Sequence, residues 1–260
     1  MPMEIITADI GNTSTLFGYF AGGKLRKKVR IGTARLKTQA VRALRTQFSL
    51  KRAEALVIAS VVPQAGRYLR KIVPQKLNLP AFLIGSDIPV PIKNKYRNPR
   101  QVGIDRLMNA LAGFQKYHRP LIIVDFGTAI TFDVVSGKGE YLGGVIAPGI
   151  EISLEALYQK TALLPRIKLA HSRGILGRDT AESIQAGCTY GIGGLCDRII
   201  REIETQLRFQ PFILATGGYA AFMSKYCRQI KAIDPDLTLK GILASYQAFK
   251  IRPAPIENHG

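Results

Sequence analysis

Little in these 260 residues declares a partner or a compartment. Cysteine is sparse: Cys188, Cys196 and Cys227 form no C-x-x-C pair and are odd in number. That excludes a disulfide framework and leaves reduced thiols, the usual state in a cytoplasmic protein. Long apolar runs are missing too. The longest uncharged stretch, residues 209–224, holds Pro211 and Gly217-Gly218 and falls short of the roughly 18 apolar residues that a membrane span needs. Near the start, Glu4 stands where a signal peptide would be basic and no separate apolar segment follows, so no signal peptide is expected. His118 and His171 lack partners at metal-ligand spacing and are read as incidental; His259 is expected in a disordered tail.

Acidic residues are also scarce, 18 against 37 lysines and arginines, giving a formal net charge of +19. Such a surface can attract nucleic acid, but the basic residues are scattered through 24–52, 67–76, 93–106 and 198–208. Zinc-ligand spacing, an RRM-type aromatic signature and a basic tail are all absent. A basic enzyme with acidic substrates such as ATP is the better reading. Neither nucleic acid nor membrane is expected as a partner.

What is there is ordinary globular material, 47% apolar and 21% charged, enough for a sizeable core. The length suits two domains of roughly 100–150 residues, expected as residues 1–100 and 101–260. The stretch from Val124 to Asp133 (Val-Asp-Phe-Gly-Thr-Ala-Ile-Thr-Phe-Asp) organises the rest. It reads as two short strands joined by a tight Gly-Thr corner. Asp125 closes a buried strand, where a carboxylate needs a cation, hydrogen bonds or both. Gly127 lets backbone approach a ligand, and Thr128 and Thr131 add hydroxyls, parts that suit a phosphate with its counter-cations. The same design stands 116 residues earlier as Asp9-Ile10-Gly11-Asn12-Thr13-Ser14-Thr15. Either copy alone is equally a plain hairpin turn; two with matching flanks point to a duplicated domain with a nucleotide between the copies.

Strands are expected at 4–8, 15–20, 24–31, 55–59 and 81–84, with helices over 33–50 and 64–73. That is one actin-like half, β-β-β-α-β-α-β. A proline-punctuated connector over 86–100 reads as lining a site. A helix follows over 103–117, then a second meander at 121–126, 131–135 and 141–146. Helices are expected at 150–158, at 180–207 with Gly187, Gly191, Gly193 and Gly194 permitting close approach or a bend, and at 239–249. Between them a strand over 211–215 runs into the turn Thr216-Gly217-Gly218.

Six motifs in order resemble those of the type III pantothenate kinases. They are Asp9-Ile-Gly-Asn-Thr13, Tyr96-Arg-Asn-Pro99, Gly103-Ile-Asp-Arg106, Asp125-Phe-Gly-Thr-Ala-Ile-Thr131, Gly143-Gly-Val-Ile-Ala-Pro-Gly149 and Thr216-Gly-Gly218. The resemblance runs over about residues 4–250, with no departure at a motif position. It implies an α/β fold of the acetate kinase, sugar kinase, Hsp70 and actin superfamily. That fold has duplicated actin-like (ribonuclease H-like) domains, each a mixed five-stranded sheet with flanking helices, and nucleotide in the cleft between. It also implies ATP-dependent phosphorylation of pantothenate to 4′-phosphopantothenate, the first step of coenzyme A biosynthesis. Mg²⁺, a monovalent cation (K⁺ or NH₄⁺) and a homodimer with the pantothenate site near the subunit interface are implied as well.

Phosphoryl transfer asks for positioning, charge compensation and a base for the hydroxyl proton. By resemblance Asp9, Ile10, Gly11, Asn12, Thr13, Ser14, Thr15, Leu16 and Thr128 lie along ATP, and Asp125 binds the monovalent cation. Tyr96, Gly103, Ile104, Asp105, Arg106 and Thr180 contact pantothenate. Asp105 is the expected general base, at a helix N-terminus whose dipole favours the ionised form. Arg106 can pair with a carboxylate or a phosphoryl oxygen. From the residues alone, Asp105 is equally a helix cap, Tyr96 packing for a proline-rich loop and Thr180 an N-cap. Asp133 reads first as an ordinary strand-end carboxylate, with a supporting role behind the site as the lesser alternative. Two rivals stand beside this reading. One is a superfamily kinase for a sugar or acetate-like acid; the other is a regulatory or nucleic-acid-binding protein that lost catalysis, favoured only by the charge.

Overall fold

The computed structural model describes residues 3–207 and 209–251; His259 lies outside them. The chain divides into two compact units. One comprises the described parts of Met1–Ile92, Asn98–Ala112 and Leu237–Gly260, the other Lys93–Arg97 and Gly113–Asp236.

In the first unit, β1 (Glu4–Ile10), β2 (Ser14–Ala21) and β3 (Lys24–Gly32) form the meander. Then come α1 (Leu36–Gln47), β4 (Ala55–Ser60), α2 (Pro63–Leu77) and β5 (Ala81–Leu83). The sheet order is β3-β2-β1-β4-β5, with β1 antiparallel to β2 and parallel to β4. β4 is buried from Ala55 to Ala59, as a parallel strand covered on both faces must be. α1 buries Leu36, Ala40 and Leu44, one stripe at helical spacing. A 3₁₀ turn, Thr33–Arg35, precedes it, so the α-helix proper starts three residues after the expected bound at 33, on Leu36, the first residue of its apolar pattern. α2 opens with Pro63 in its first turn, where the missing N–H costs nothing, and closes on left-handed Asn78.

The second unit repeats the plan. β7 (Leu121–Phe126), β8 (Ala129–Val135) and β9 (Glu140–Pro148) form its meander, and β10 (Phe212–Thr216) runs parallel to β7. Its sheet, β11 (Ala232–Ile233)-β10-β7-β8-β9-β6 (Lys93–Asn94), matches the first strand for strand and carries one more. The expected five strands become six. The extra one is β6 (Lys93–Asn94), a piece of the proline-rich connector that pairs along β9. β11 (Ala232–Ile233) was hidden by its two-residue length. One face of this sheet packs Val124, Phe126, Phe132 and Val134 against Ile192, Cys196 and Ile200.

Four helices complete the inventory of the described residues: α3 (Ile104–Tyr117), α4 (Ile150–Lys160), α7 (Ala220–Met223) and α8 (Leu237–Ile251), together with the pair α5 (Thr180–Ala186) and α6 (Ile192–Leu207). α5 and α6 replace the single long helix expected. The π-helical turn Gly187–Gly191 separates them. Its cause is local: two glycines bracket the turn, and buried Thr189 turns its hydroxyl back to the Gln185 carbonyl at 2.8 Å. No helix of the described residues is long and apolar enough to cross a membrane.

Candidate active site

The first Asp-x-Gly copy is the corner between β1 and β2. Gly11 N–H donates to the Ser14 carbonyl at 3.0 Å, closing the turn. Thr33 pins it from behind: its N–H donates to the Thr13 carbonyl at 3.0 Å and its hydroxyl to the Gly11 carbonyl at 2.7 Å. The Thr15 and Thr33 hydroxyls are 3.1 Å apart. Asp9 is half-buried at the strand end, Asn12 and Thr13 are exposed at the tip, and Thr15 is buried. Thr33 had looked like the start of a helix; nothing in its spacing announces the contact.

The Gly103–Arg106 motif belongs to the same unit and the same edge of the sheet. Val61, just beyond β4, donates its N–H to the carbonyl of Ile10 at the end of β1. The Val61 side chain lies 3.7 Å from where a Cβ on Gly103 would be. Asp105, in the first turn of α3, folds back over Gly103, so that the same Cβ would be 2.5 Å from its Oδ1. That oxygen also accepts the Arg106 N–H at 2.8 Å. Burial pushes the Asp105 carboxyl above its ordinary range, against the opposing pull of the Arg106 N–H and guanidinium. Desolvation therefore outweighs the first-turn N–H groups and the Arg106 charge. A raised carboxyl is a stronger base, provided it is ionised at working pH. Arg106 is buried.

α8 holds this end of α3 in place. A Cβ on Gly241 would be 2.1 Å from the Met108 carbonyl oxygen, so the two helices cross in backbone contact. The Thr238 hydroxyl donates to Asn109 Oδ1 at 2.8 Å, and the Ser245 hydroxyl to Met108 Sδ at 3.3 Å.

In the second unit, the Gly127-Thr128 corner joins β7 to β8, with Gly127 N–H donating to the Ala129 carbonyl at 3.2 Å. Asp125 is half-buried, paired across the sheet with Thr131 on one side and Thr216 on the other. The Thr216-Gly-Gly218 turn closes against it. Gly217 has φ +91°, and a Cβ there would be 2.3 Å from Asp125 Oδ1 and 2.7 Å from the Phe126 backbone. Tyr219 N–H donates to the Phe126 carbonyl at 3.2 Å, while its hydroxyl donates to Glu151 in the first turn of α4. Burial and Glu151 together push that phenol up to about 12. Gly149 is equally confined: a Cβ on it would be 2.0 Å from the Thr128 carbonyl oxygen. These glycines bring three separate motifs onto one corner.

Asp125, packed against Gly217, and the Gly127 and Thr128 carbonyl oxygens, packed against Gly149, are the groups that could hold a cation at that corner. Among the described residues no three His, Cys, Asp or Glu side chains cluster to hold a metal. A single carboxylate with carbonyl oxygens nearby matches a hard, singly charged ion better than a tight divalent cage. Asp9 in turn offers one carboxylate beside a phosphate-sized turn, which is what Mg²⁺ needs when phosphates and waters complete its shell.

Tyr96 follows β6 in this unit. Its N–H donates to Asn94 Oδ1 at 2.9 Å, its ring lies 6.4 Å from that of Tyr141, and one ring edge is 3.8 Å from a Cβ position on Gly143. Thr180 is exposed at the start of α5 and is not its cap. Asp179 is, its carboxylate accepting the Glu182 N–H at 2.8 Å. Asp133, read as a strand-end residue, is instead in the middle of β8 and fully enclosed. The structure thus groups Asp9–Leu16 with Gly103–Arg106 in one unit, and Tyr96, Asp125, Thr128 and Thr180 in the other.

A duplicated mixed sheet with an Asp-x-Gly corner on the first hairpin of each half is an actin-like fold. Solved structures agree on the fold. A putative Baf family transcriptional activator from Campylobacter jejuni superposes with TM-score 0.62, at 18% identity over 95% of this chain and 99% of that one. A putative N-acetylmannosamine kinase from Listeria monocytogenes gives 0.54, at 12% identity over 95% and 100%. The narrower assignment comes from sequence. The type III pantothenate kinase family profile matches residues 5–202. The type III pantothenate kinase of Myxococcus xanthus is 38% identical over 249 residues, 93% of this chain and 97% of that protein. The chain belongs to the type III pantothenate kinase family, and it is a kinase.

Proposed function

We propose that the protein transfers the γ-phosphoryl group of ATP to the primary hydroxyl of pantothenate, making 4′-phosphopantothenate for coenzyme A biosynthesis. Family membership over residues 5–202 carries this reading, supported by the intact Asp9, Asp105 and Asp125 corners. Asp105 accepts the hydroxyl proton; a positioned base of this kind contributes roughly 10²–10⁴-fold. Arg106 steadies the acceptor or the migrating phosphoryl group by charge-assisted hydrogen bonds. The Asp9–Leu16 corner and Thr128 hold ATP, with Asp9 toward its Mg²⁺. Tyr96, Gly103, Ile104 and Thr180 line the acceptor. Asp125 holds K⁺ or NH₄⁺, and both cations, when bound, compensate phosphate charge.

The working unit is a homodimer in the cytoplasm, joined through the α5–α6 segment. Gly187, Gly191 and Gly194 each have no described heavy atom within 4 Å of a Cβ position, while Gly193 is filled by Tyr226. Three bare glycines beside exposed Tyr190 and Leu195 leave backbone open to a second copy.

The test is a coupled ADP-release assay with ATP, Mg²⁺ and pantothenate, in potassium and then in sodium, on wild type and Asp105→Asn. Pantothenate-dependent turnover is expected in potassium, falling by at least about 10²-fold in the variant. Turnover only with a sugar or an acetate-like acid, or with none of several hydroxylated acceptors, overturns it.

A further inference from the structure

Asp133 has no part in the site as drawn above, yet β8 encloses it completely. An enclosed carboxylate is costly, and an apolar residue would fill the position more stably. Its contacts show what it holds. Tyr141 donates its hydroxyl to Asp133 Oδ1 at 2.9 Å, and Thr131 donates its own to Oδ2 at 3.1 Å. Each donor leads to a different ligand contact. Tyr141 is fully buried in β9, and its ring packs beside that of Tyr96 at 6.4 Å. Lys95 N–H, one residue before Tyr96, bonds the Tyr141 carbonyl at 2.8 Å, so backbone and ring both tie Tyr96 to Tyr141. Thr131 stands directly across from Asp125 in the β7–β8 register, on the same sheet face as Asp133. The line Tyr96–Tyr141–Asp133–Thr131–Asp125 therefore crosses β9, β8 and β7 as one polar seam.

We propose that Asp133 is a positioning residue that sets the acceptor-side Tyr96 and the cation-side Asp125 from a single buried carboxylate. The proposal rests on the roles given to Tyr96 and Asp125 above. Removing one hydroxyl should disturb one end, and removing the carboxylate should disturb both.

The experiment measures the acceptor KM, the potassium activation constant and the melting temperature for four variants. Tyr141→Phe should raise the acceptor KM and leave the potassium constant unchanged; Thr131→Val should do the reverse. Asp133→Ala should raise both by about 10-fold, the usual scale for a residue that orients ligand-contacting groups, with a smaller loss in kcat. Asp133→Asn keeps an oxygen for Tyr141 and should recover most of the acceptor KM. It also covers the case in which the alanine variant fails to fold. The proposal falls if a folded Asp133→Ala or Asp133→Asn leaves both constants at wild type. It falls equally if both single-hydroxyl variants move both constants in step with their melting temperatures, as a merely structural role would. Should the wild type use another acceptor, the pantothenate reading fails, and the same constants measured with that acceptor still decide the role of Asp133.

Discussion

The base role proposed for Asp105 makes two demands that pull against each other, accessibility to a hydroxyl proton and burial deep enough to strengthen it as a base. Its folded carboxyl is raised above the ordinary range by burial. The ionised form is therefore disfavoured in the folded state, and the group's contribution to stability is greatest below its unfolded pKa. That contribution is lost as pH rises through the unfolded and then the folded value. At pH 7.5 the carboxylate works against the fold, so Asp105→Asn should melt at the same or a higher temperature while losing activity. Catalysis runs the other way with pH. The acid limb of kcat/KM should lie above pH ~4, the ordinary carboxylate range, and should be absent from the residual activity of the variant. A pH–rate profile with matched melting curves checks both; an acid limb at or below pH ~4 would detach Asp105 from the base role.

Elements, more than single side chains, decide whether these residues meet. Asp105 rides on α3, and α3 is located by its crossing with α8 at Gly241 and Met108, where a Cβ would be 2.1 Å from a carbonyl oxygen. Gly241→Ala should force the helices apart and cost ~1–3 kcal/mol, the usual penalty for overpacking a filled core. It should also lower kcat by displacing Asp105, although the substitution lies 136 residues away along the chain. Chemical denaturation and steady-state kinetics on the one variant measure both effects. The two meanders, the parallel strands β4 and β10 and the two Asp-x-Gly corners were legible beforehand, because alternation, apolar runs and turn residues leave local signatures. What was not legible depends on tertiary contact. Thr33 pins the first corner, Gly217 folds onto Asp125, and Tyr141 meets Asp133 only through register across β8 and β9. β6 and β11 are two residues each, too short for any periodicity, and the π turn at Gly187–Gly191 arises where glycine freedom meets a back-bonding Thr189.

At the scale of the whole molecule, the chain begins and completes its first unit from opposite ends of the sequence. β1 to β5 come from residues before Ile92, but α8 returns from beyond Asp236 to cover the sheet they form. A Cβ on Gly18 in β2 would be 2.8 Å from Leu239 Cδ1, which fixes how closely α8 lies on that face. Leu237, Leu239, Ile242, Leu243 and Tyr246 are all buried along it. At ~1.5–3 kcal/mol for each large apolar side chain removed from water, this one helix buries as much as a typical domain's net stability of ~5–15 kcal/mol. A chain ending at Asp236 would keep every carboxylate assigned to the site and lose the helix that covers the first unit's sheet. Its first unit should be unfolded at room temperature, with rapid amide exchange throughout β1, β2 and β4, while β7 to β10 keep native-like protection. Hydrogen exchange by mass spectrometry resolves the two halves in one experiment. Equal loss of protection in both would mean that the units fold as one, and protection retained in β1 would mean that α8 is dispensable. If the expected pattern holds, adding the α8 segment back as a separate peptide should restore protection to the first sheet before any activity returns, because α3 has to be seated before Asp105 can act.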